Sequence, residues 1–231
     1  VYISSSGYCS RREADRLIES KRVLLNGEIA SIGMDVTSED ELIIDGKIVK
    51  TQQDFIYLLY HKPLGIETTT DQSKPNNIID AISYPERIFP VGRLDKYSSG
   101  LIILTSDGQI VNKILRSENA HEKEYIVEVD SPISSEFISK MQKGVEIYNP
   151  VQHVKTLTLP SRVTQLSKNA FKIVLTQGLN LQIRRMAKAL GYNVNKLHRI
   201  RIMNLKIDQL PVGKYRHLTD SELKELFLLI N

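Results

Sequence analysis

One cysteine, no tryptophan and no long apolar run set the first limits on this chain. Cys9 on its own cannot form an internal disulfide, and no cysteine cluster is available to hold a metal. Both fit a reducing, cytoplasmic setting. A membrane helix needs about 18 consecutive apolar residues, and no stretch approaches that. No secretory leader pattern opens the chain. It starts at Val1 rather than Met, so a few residues are expected to precede it. There is no glycine-rich phosphate loop, no dinucleotide fingerprint and no metal-ligand spacing of His, Cys or carboxylates. No cofactor and no metal are therefore expected.

What is present suits a packed protein. Of 231 residues, 41% are hydrophobic and 25% charged, enough for one large domain or a small one followed by a medium one. The net charge of +4 says little about partners, but its distribution says more. Between Gln177 and His217, nine Lys or Arg stand against a single acid, Asp208. A block of this kind marks a phosphate-facing surface or, less often, a solvated basic face.

Residues 1–50 read as a separate small unit. Ser10 and Glu13 have capping-box spacing at the start of a helix. Ala14, Leu17 and Ile18 form its inward face, while Arg11, Arg12 and Arg16 crowd its N-terminal end and outer side, where an anion is favoured. Asn26-Gly27 and Asp45-Gly46 each separate two short apolar runs, the pattern of tight hairpins. The unit carries seven basic and nine acidic residues, so any contact with RNA must use one face. Cys9 reads as a small buried hydrophobe.

Lys50–Asp54 is a short polar linker, and Phe55–Tyr60 a strand, followed by a turn at Lys62-Pro63-Leu64-Gly65. Thr68–Asn77 is polar and expected to be mobile. Helices are expected at Ile78–Ile82, Gln109–Arg116 (with Ile110, Ile114 and Leu115 inward), Ser134–Gln142, Leu181–Leu190 and, behind a Thr219/Glu222 cap, the C-terminus. Strands are expected at Leu101–Leu104, Lys123–Val129, within Val151–Leu159 and Arg162–Leu166, at Phe171–Leu175 and at Leu197–Ile202. In the last of these, basic and apolar residues alternate, so Arg199 and Arg201 are expected to face RNA. His198 reads as a structural or phosphate-contacting histidine.

The central stretch is Gly92-Arg93-Leu94-Asp95, then Ser99-Gly100-Leu101, Leu104-Thr105 and Asp107-Gly108. A polar, glycine-bracketed loop leads into a buried strand, which is where a carboxylate can be held for chemistry or where a turn carries an incidental ion pair. The order of residues resembles the signature of the pseudouridine synthases of the RsuA/RluA superfamily. Lys62-Pro63-Leu64-Gly65, Lys123-Glu124-Tyr125 and Leu175-Thr176-Gln177-Gly178 with Gln182-Ile183-Arg184-Arg185-Met186 resemble its other motifs. Residues 6–15 with Val23–Gly27 resemble an S4 RNA-binding domain. Within the family, Gln177–Asn180, Gln182–Met186 and Val111–Arg116 look most like the RluF-type enzymes of large-subunit ribosomal RNA.

The resemblance implies an α+β protein: an S4-like domain over 1–50, then a catalytic domain over 51–231 with a mixed, mainly antiparallel sheet and flanking helices. It implies Asp95 as nucleophile, Arg184 as its basic partner, and Tyr125 and Ile183 as faces for a flipped base, with Arg93 bracing the loop. Besides the helix arginines, RNA contacts are expected at Asn26, Arg93, Leu94, Lys96, Gln182, Ile183 and Arg185, and at position 181, where family members usually carry Arg or His and this chain has Leu181. The implied activity is isomerisation of a uridine in ribosomal or transfer RNA. It needs no redox step and no cofactor, because one N1–C1′ bond is broken and one C5–C1′ bond made. A carboxylate suits the first step, and a neighbouring guanidinium favours its charged form. A non-catalytic RNA-binding or ribosome-assembly factor on the same fold is the other reading. A monomer is expected, since no long exposed apolar helix asks for a partner.

Overall fold

The computed structural model describes residues 2–37, 39–49, 55–115 and 120–230. The expected linker at Lys50–Asp54 and the end of the fourth helix at Arg116 lie outside the described residues.

The N-terminal unit comprises α1 (Tyr2–Ser5), α2 (Arg11–Glu19), β1 (Val23–Leu25), β2 (Glu28–Ile29), β3 (Leu42–Ile44) and β4 (Lys47–Ile48). Ser10 caps α2 by accepting the Glu13 N–H at 3.2 Å. The two hairpin turns form as expected. Asn26 and Asp45 both take φ 51°, each followed by a glycine of positive φ, the backbone that lets a two-residue loop follow the strand twist. The strands run in the order β2-β1-β3-β4. Ile3, Ala14, Leu17, Val23, Leu42 and Ile44 bury their side chains in a core of the unit's own, with Cys9 packed at its edge. Sequence reasoning missed α1, which packs on α2 and also reaches the helix α4 described next.

The remainder is built on a second sheet. Its elements are β5 (Tyr57–Lys62), α3 (Ile78–Ile82), β6 (Phe89–Val91), β7 (Ser99–Thr105), α4 (Gly108–Leu115), β8 (Lys123–Val129), α5 (Ser135–Lys143), β9 (Glu146–Asn149), β10 (Val154–Leu157), β11 (Arg162–Gln165), β12 (Ala170–Leu175), α6 (Gln182–Ala189), β13 (Val194–Ile202), β14 (Leu205–Lys206), β15 (Tyr215–His217) and α7 (Asp220–Ile230). The main strand order is β11-β12-β8-β13-β7-β5-β15, with β14 on β13, β6 on β7, and a separate β9/β10 hairpin. Among the described residues, every ladder between these strands is antiparallel except β13 with β7. The sheet is thus mixed and mainly antiparallel.

The two halves of the sheet are buried differently. In β5, Tyr57 and Leu59 join the cluster under α4 and α7, while Leu58 and Tyr60 join the one under α3. Both faces are covered, so β5 and β7 read as unbroken apolar runs. In β8, Tyr125, Val127 and Val129 pack against α5 and α6. The alternate residues look outward, where Glu124 pairs with Lys172 at 3.1 Å and Glu128 with Lys196 at 2.9 Å.

Three local expectations change. The strand expected at Phe55–Tyr60 runs two residues later and takes in Lys62, which is fully buried rather than part of a turn. Thr68–Asn77 is tied at both ends: Thr68 and Asn77 are buried, and Asn77 caps α3. Leu115 is 39% exposed, because α4 turns only Ile110 and Ile114 onto the sheet.

The halves join at one tight point. Gly100 pairs with Arg199 in the parallel contact, at φ 114°. A Cβ there would run into the Arg199 backbone nitrogen and carbonyl. Gly100→Ala should therefore cost at least about 2 kcal/mol through strain and displacement of β13. Thermal unfolding should report a midpoint lower by several degrees.

The closing helix carries a pH signal. Thr219 and Glu222 cap α7 reciprocally, the Thr219 N–H donating to Glu222 at 2.8 Å and the Glu222 N–H to Thr219 Oγ1 at 3.2 Å. Arg216 adds two bonds of 2.7 Å and, with the Thr219 N–H, holds the Glu222 carboxyl down to about 2 against the opposing effect of burial. A depressed carboxylate stabilises the fold fully above its unfolded value near 4.5, and that stability is lost as pH falls towards 2. After allowance for partial exposure it amounts to about 1–2 kcal/mol. Glu222→Gln should melt lower at pH 7 and show a shallower loss of stability between pH 4.5 and 2 in denaturant titrations.

Candidate active site

The loop before β7 folds around its own carboxylate. The Tyr97 N–H donates to Asp95 Oδ1 at 2.9 Å and the Ser98 hydroxyl to Oδ2 at 2.6 Å. Such an Asx turn aims the side chain without help from regular structure. Arg184, on α6, then ties the loop down. Its Nε lies 3.5 Å from Asp95 Oδ2, and its Nη2 donates to the Tyr97 carbonyl at 2.8 Å and to Ser98 Oγ at 3.0 Å. Its Nη1 reaches the Val194 carbonyl at 3.2 Å, so one guanidinium links α6, the loop and the start of β13. Both members of the pair keep about a fifth of their side-chain surface in solvent.

A second brace comes from Thr68. Its hydroxyl donates to the Leu94 carbonyl at 2.7 Å and accepts the Leu94 N–H at 3.2 Å. The Gly65 N–H donates to the Lys96 carbonyl at 2.8 Å. Arg93, expected to brace the loop, is exposed and makes no such contact among the described residues; Thr68 and Arg184 do that work.

Under the loop, register sets one row of residues across four strands. Lys62 pairs with Gly100, Gly100 with Arg199, and Arg199 with Tyr125. Paired residues point to the same face, so Lys62 and Arg199 lie to either side of Gly100, where the Arg199 backbone closes directly against β7. The Arg199 guanidinium carbon sits 6.0 Å from the centre of the Tyr125 ring. Tyr125 in turn shares an apolar cluster with Leu94 and Ile183.

This row is rich in buried cations. Lys62 is fully buried, its ammonium donating to the Pro63 and Ile66 carbonyls at 2.9 and 2.8 Å. Burial pushes it down to about 8, against the pull of the Asp95 carboxylate and with a further push from Arg199. Burial and Arg199 also lower Lys123, the residue two before Tyr125. Arg199 is 3% exposed, and its Nε donates to the Leu101 carbonyl at 2.7 Å. On the opposite face His198 contacts Ser99 Oγ at 2.9 Å and packs on His61, and burial lowers it. No group of His, Cys, Asp and Glu able to hold a metal occurs among the described residues.

Several expected RNA contacts lie elsewhere. Arg199 is beneath the sheet surface. Arg201 is locked to Glu124 at 2.6 Å and Glu122 at 2.9 Å, after a register shift between Arg199 and Arg201 that breaks the expected alternation. Three members of the basic block, Arg184, Lys196 and Arg201, are therefore paired with carboxylates from earlier in the chain. Gln182 is buried, accepting the Leu179 N–H at 3.0 Å and donating to Gln177 at 3.1 Å, and it shapes the loop before α6. Arg185 is held by the Tyr148 carbonyl and Asn180. The Asn26 side chain is occupied by Asp40 and the Glu41 N–H. Lys96 lies 3.8 Å from Glu67.

Others remain open to a partner. Leu181 adopts φ 50° at the head of α6 and is 41% exposed. Arg12 is exposed, Arg16 is exposed beside Glu13, and Arg11 lines a cavity of about 260 Å³ with Arg87 and Phe89 between the two units. Sequence reasoning gave Lys62 only a turn motif and missed Thr68 and Ser98, and also Tyr97, which stands 72% exposed beside Asp95. The signal available for Ser98 was its spacing of three residues after an Asp in a glycine-bracketed loop.

Comparison with known proteins places the chain among named relatives. Residues 56–189 match the model for the RNA pseudouridylate synthase family, and residues 1–42 match the S4 domain. The chain is 48% identical to the dual-specificity RNA pseudouridine synthase RluF of Escherichia coli K12, over 99% of its own length and 78% of that protein. It is 31% identical to ribosomal large subunit pseudouridine synthase B of Bacillus subtilis, over 97% and 93% of the two chains. A crystal structure of a pseudouridylate synthase superposes with a TM-score of 0.71 at 28% identity, covering 97% of each chain.

The Thr68 brace is separable from the fold. Thr68→Val keeps the shape and removes both bonds to Leu94, at a cost of about 1–3 kcal/mol. Hydrogen exchange at the Leu94 amide should accelerate by about 10-fold or more while β5 and β7 stay protected.

Proposed function

The chain belongs to the RNA pseudouridylate synthase family, and from that premise we propose that Asp95 is the nucleophile with which it isomerises a loop uridine of large-subunit ribosomal RNA. That it is an RNA pseudouridine synthase follows from its near full-length similarity to named enzymes. The observation that carries the role of Asp95 is its geometry: a partly exposed carboxylate, aimed by its own loop, fastened by Arg184 and set over a row of buried cations.

In this reading Asp95 attacks C1′ of the target nucleotide, and the C1′–N1 bond breaks with its electron pair left on the base. Oδ1 carries one hydrogen bond and Oδ2 two, so Oδ1 is the freer oxygen for attack. The base turns, C5 bonds to C1′, and the carboxylate is released. The C5 hydrogen leaves as a proton and N1 takes one up, so nothing is gained or lost overall. A base must leave its stack to be worked on. Tyr125, Leu94 and Ile183 provide the apolar faces that would hold it. Arg11, Arg12 and Arg16 on α2 supply exposed charge for the phosphate backbone away from the reacting base.

A second RNA class is favoured by the name of the 48% identical relative, a dual-specificity enzyme, and a transfer-RNA loop is the one we put forward. Incubation with unmodified ribosomal RNA and transfer RNA, followed by carbodiimide treatment and reverse transcription, should give one stop in each. Asp95→Asn should lower the rate by about 10³-fold or more while RNA affinity changes only a few-fold. Loss of binding and activity together would remove the role given to Asp95.

A further inference from the structure

The buried cations beside Asp95 need an explanation beyond the pairing of Asp95 with Arg184. Lys62 and Arg199 lie in one cross-strand row with only Gly100 between them. Both are within a few per cent of complete burial. Neither has a carboxylate partner among the described residues: their bonds go to the carbonyls of Pro63, Ile66 and Leu101. One nitrogen of Arg199, Nη2, is buried without any hydrogen-bond partner among the described residues. Removing a cation from water without a counter-charge is costly, and such sites persist where they serve a charge that arrives later.

We propose that Arg199 and Lys62 form a cationic floor that takes up the negative charge the uracil ring acquires when its bond to C1′ breaks. The inference rests on the nucleophilic role of Asp95. In that step the Asp95 oxygen bonds to C1′ and the carboxylate loses its charge. The C1′–N1 pair stays on the base as a uracil anion spread over N1, O2 and O4. No proton moves, and one negative charge passes from the carboxylate to the ring. Lys62, which feels the charge of Asp95 beforehand, then faces the uracil anion instead. Arg199 brings an unused N–H donor and holds its guanidinium beside the Tyr125 ring, the candidate face for the base. Donors fixed in advance where charge develops stabilise it without reorganisation. Burial lowers Lys62 to about 8, with a smaller push from Arg199 and against the pull of Asp95, so its charge is held at a cost that an arriving anion would relieve.

The test varies the leaving group. The hairpin mapped above is synthesised with uridine or with 5-fluorouridine at the target, and breakage of the N1–C1′ bond is followed in a single turnover. Fluorouracil is the stronger acid and departs with less help. Arg199→Met should slow uridine by about 10²–10³-fold and fluorouridine at least about 10-fold less, with RNA affinity within a few-fold. Arg199→Lys should recover part of the loss. Equal losses on both substrates, or no loss at all, overturn the proposal, since a merely structural arginine does not distinguish leaving groups. If Arg199→Met fails to fold, Lys62→Met is read by the same ratio. Bond breakage that survives Asp95→Asn would instead overturn the nucleophile assignment, whatever Arg199 does.

Discussion

The backbones of β7 and β13 meet at Gly100 with room for a hydrogen atom and nothing larger. The parallel ladder of β7 with β13 is made there, and it joins a half buried on both faces to a half with one face in water. The Asp95 loop immediately precedes this point, and Arg199 lies across from it. A larger residue at 100 would part the strands and displace the Asp95 loop, Lys62 and Arg199 together. Packing, geometry and chemistry thus share one glycine.

Around that junction the molecule departs from the usual economy of buried charge. Several cations elsewhere find carboxylates: Arg162 and Arg201 share Glu122, and Lys172 and Arg201 share Glu124. In the cleft, Lys62 and Arg199 receive backbone carbonyls in place of carboxylates. Carbonyl dipoles offset part of the desolvation but leave the charge itself unbalanced, whereas a carboxylate would cancel it. The arrangement is poor as a contribution to stability and well suited to a substrate that turns anionic.

The sequence carried the secondary structure where chemistry is local. Asn26-Gly27 and Asp45-Gly46 had to turn, Ser10 and Thr219 had to cap, and Leu101–Leu104 had to be buried. It was poorer where the outcome depends on which strands become neighbours. The basic block in the last quarter of the chain looked like a phosphate surface, yet the partners of Arg201 arrive from β8 and the residues before it, some 80 positions earlier. Gln182 looked like a reading group and proved a loop fastener, because nothing local shows that Leu179 and Gln177 fold back onto it. Thr68 sat in a polar stretch with no pattern, and its value comes from a contact 26 residues away. The loop with its Asp and its Arg184 partner could be found by order of residues; the fastening by Thr68 and Ser98 could not.

The row Lys62–Gly100–Arg199–Tyr125 takes one residue from each of four strands scattered over more than half of the chain. Alternation means that the neighbour of each member faces the other side: His61 lies beside Lys62, and His198 beside Arg199. Inserting or deleting one residue within β5 would exchange Lys62 for His61 in the cleft without altering a single side chain. The same change in β13 would exchange Arg199 for His198. In such a protein the lengths of a few strands are as much a part of the active site as its amino acids, and drift in chain length is confined to the loops between them.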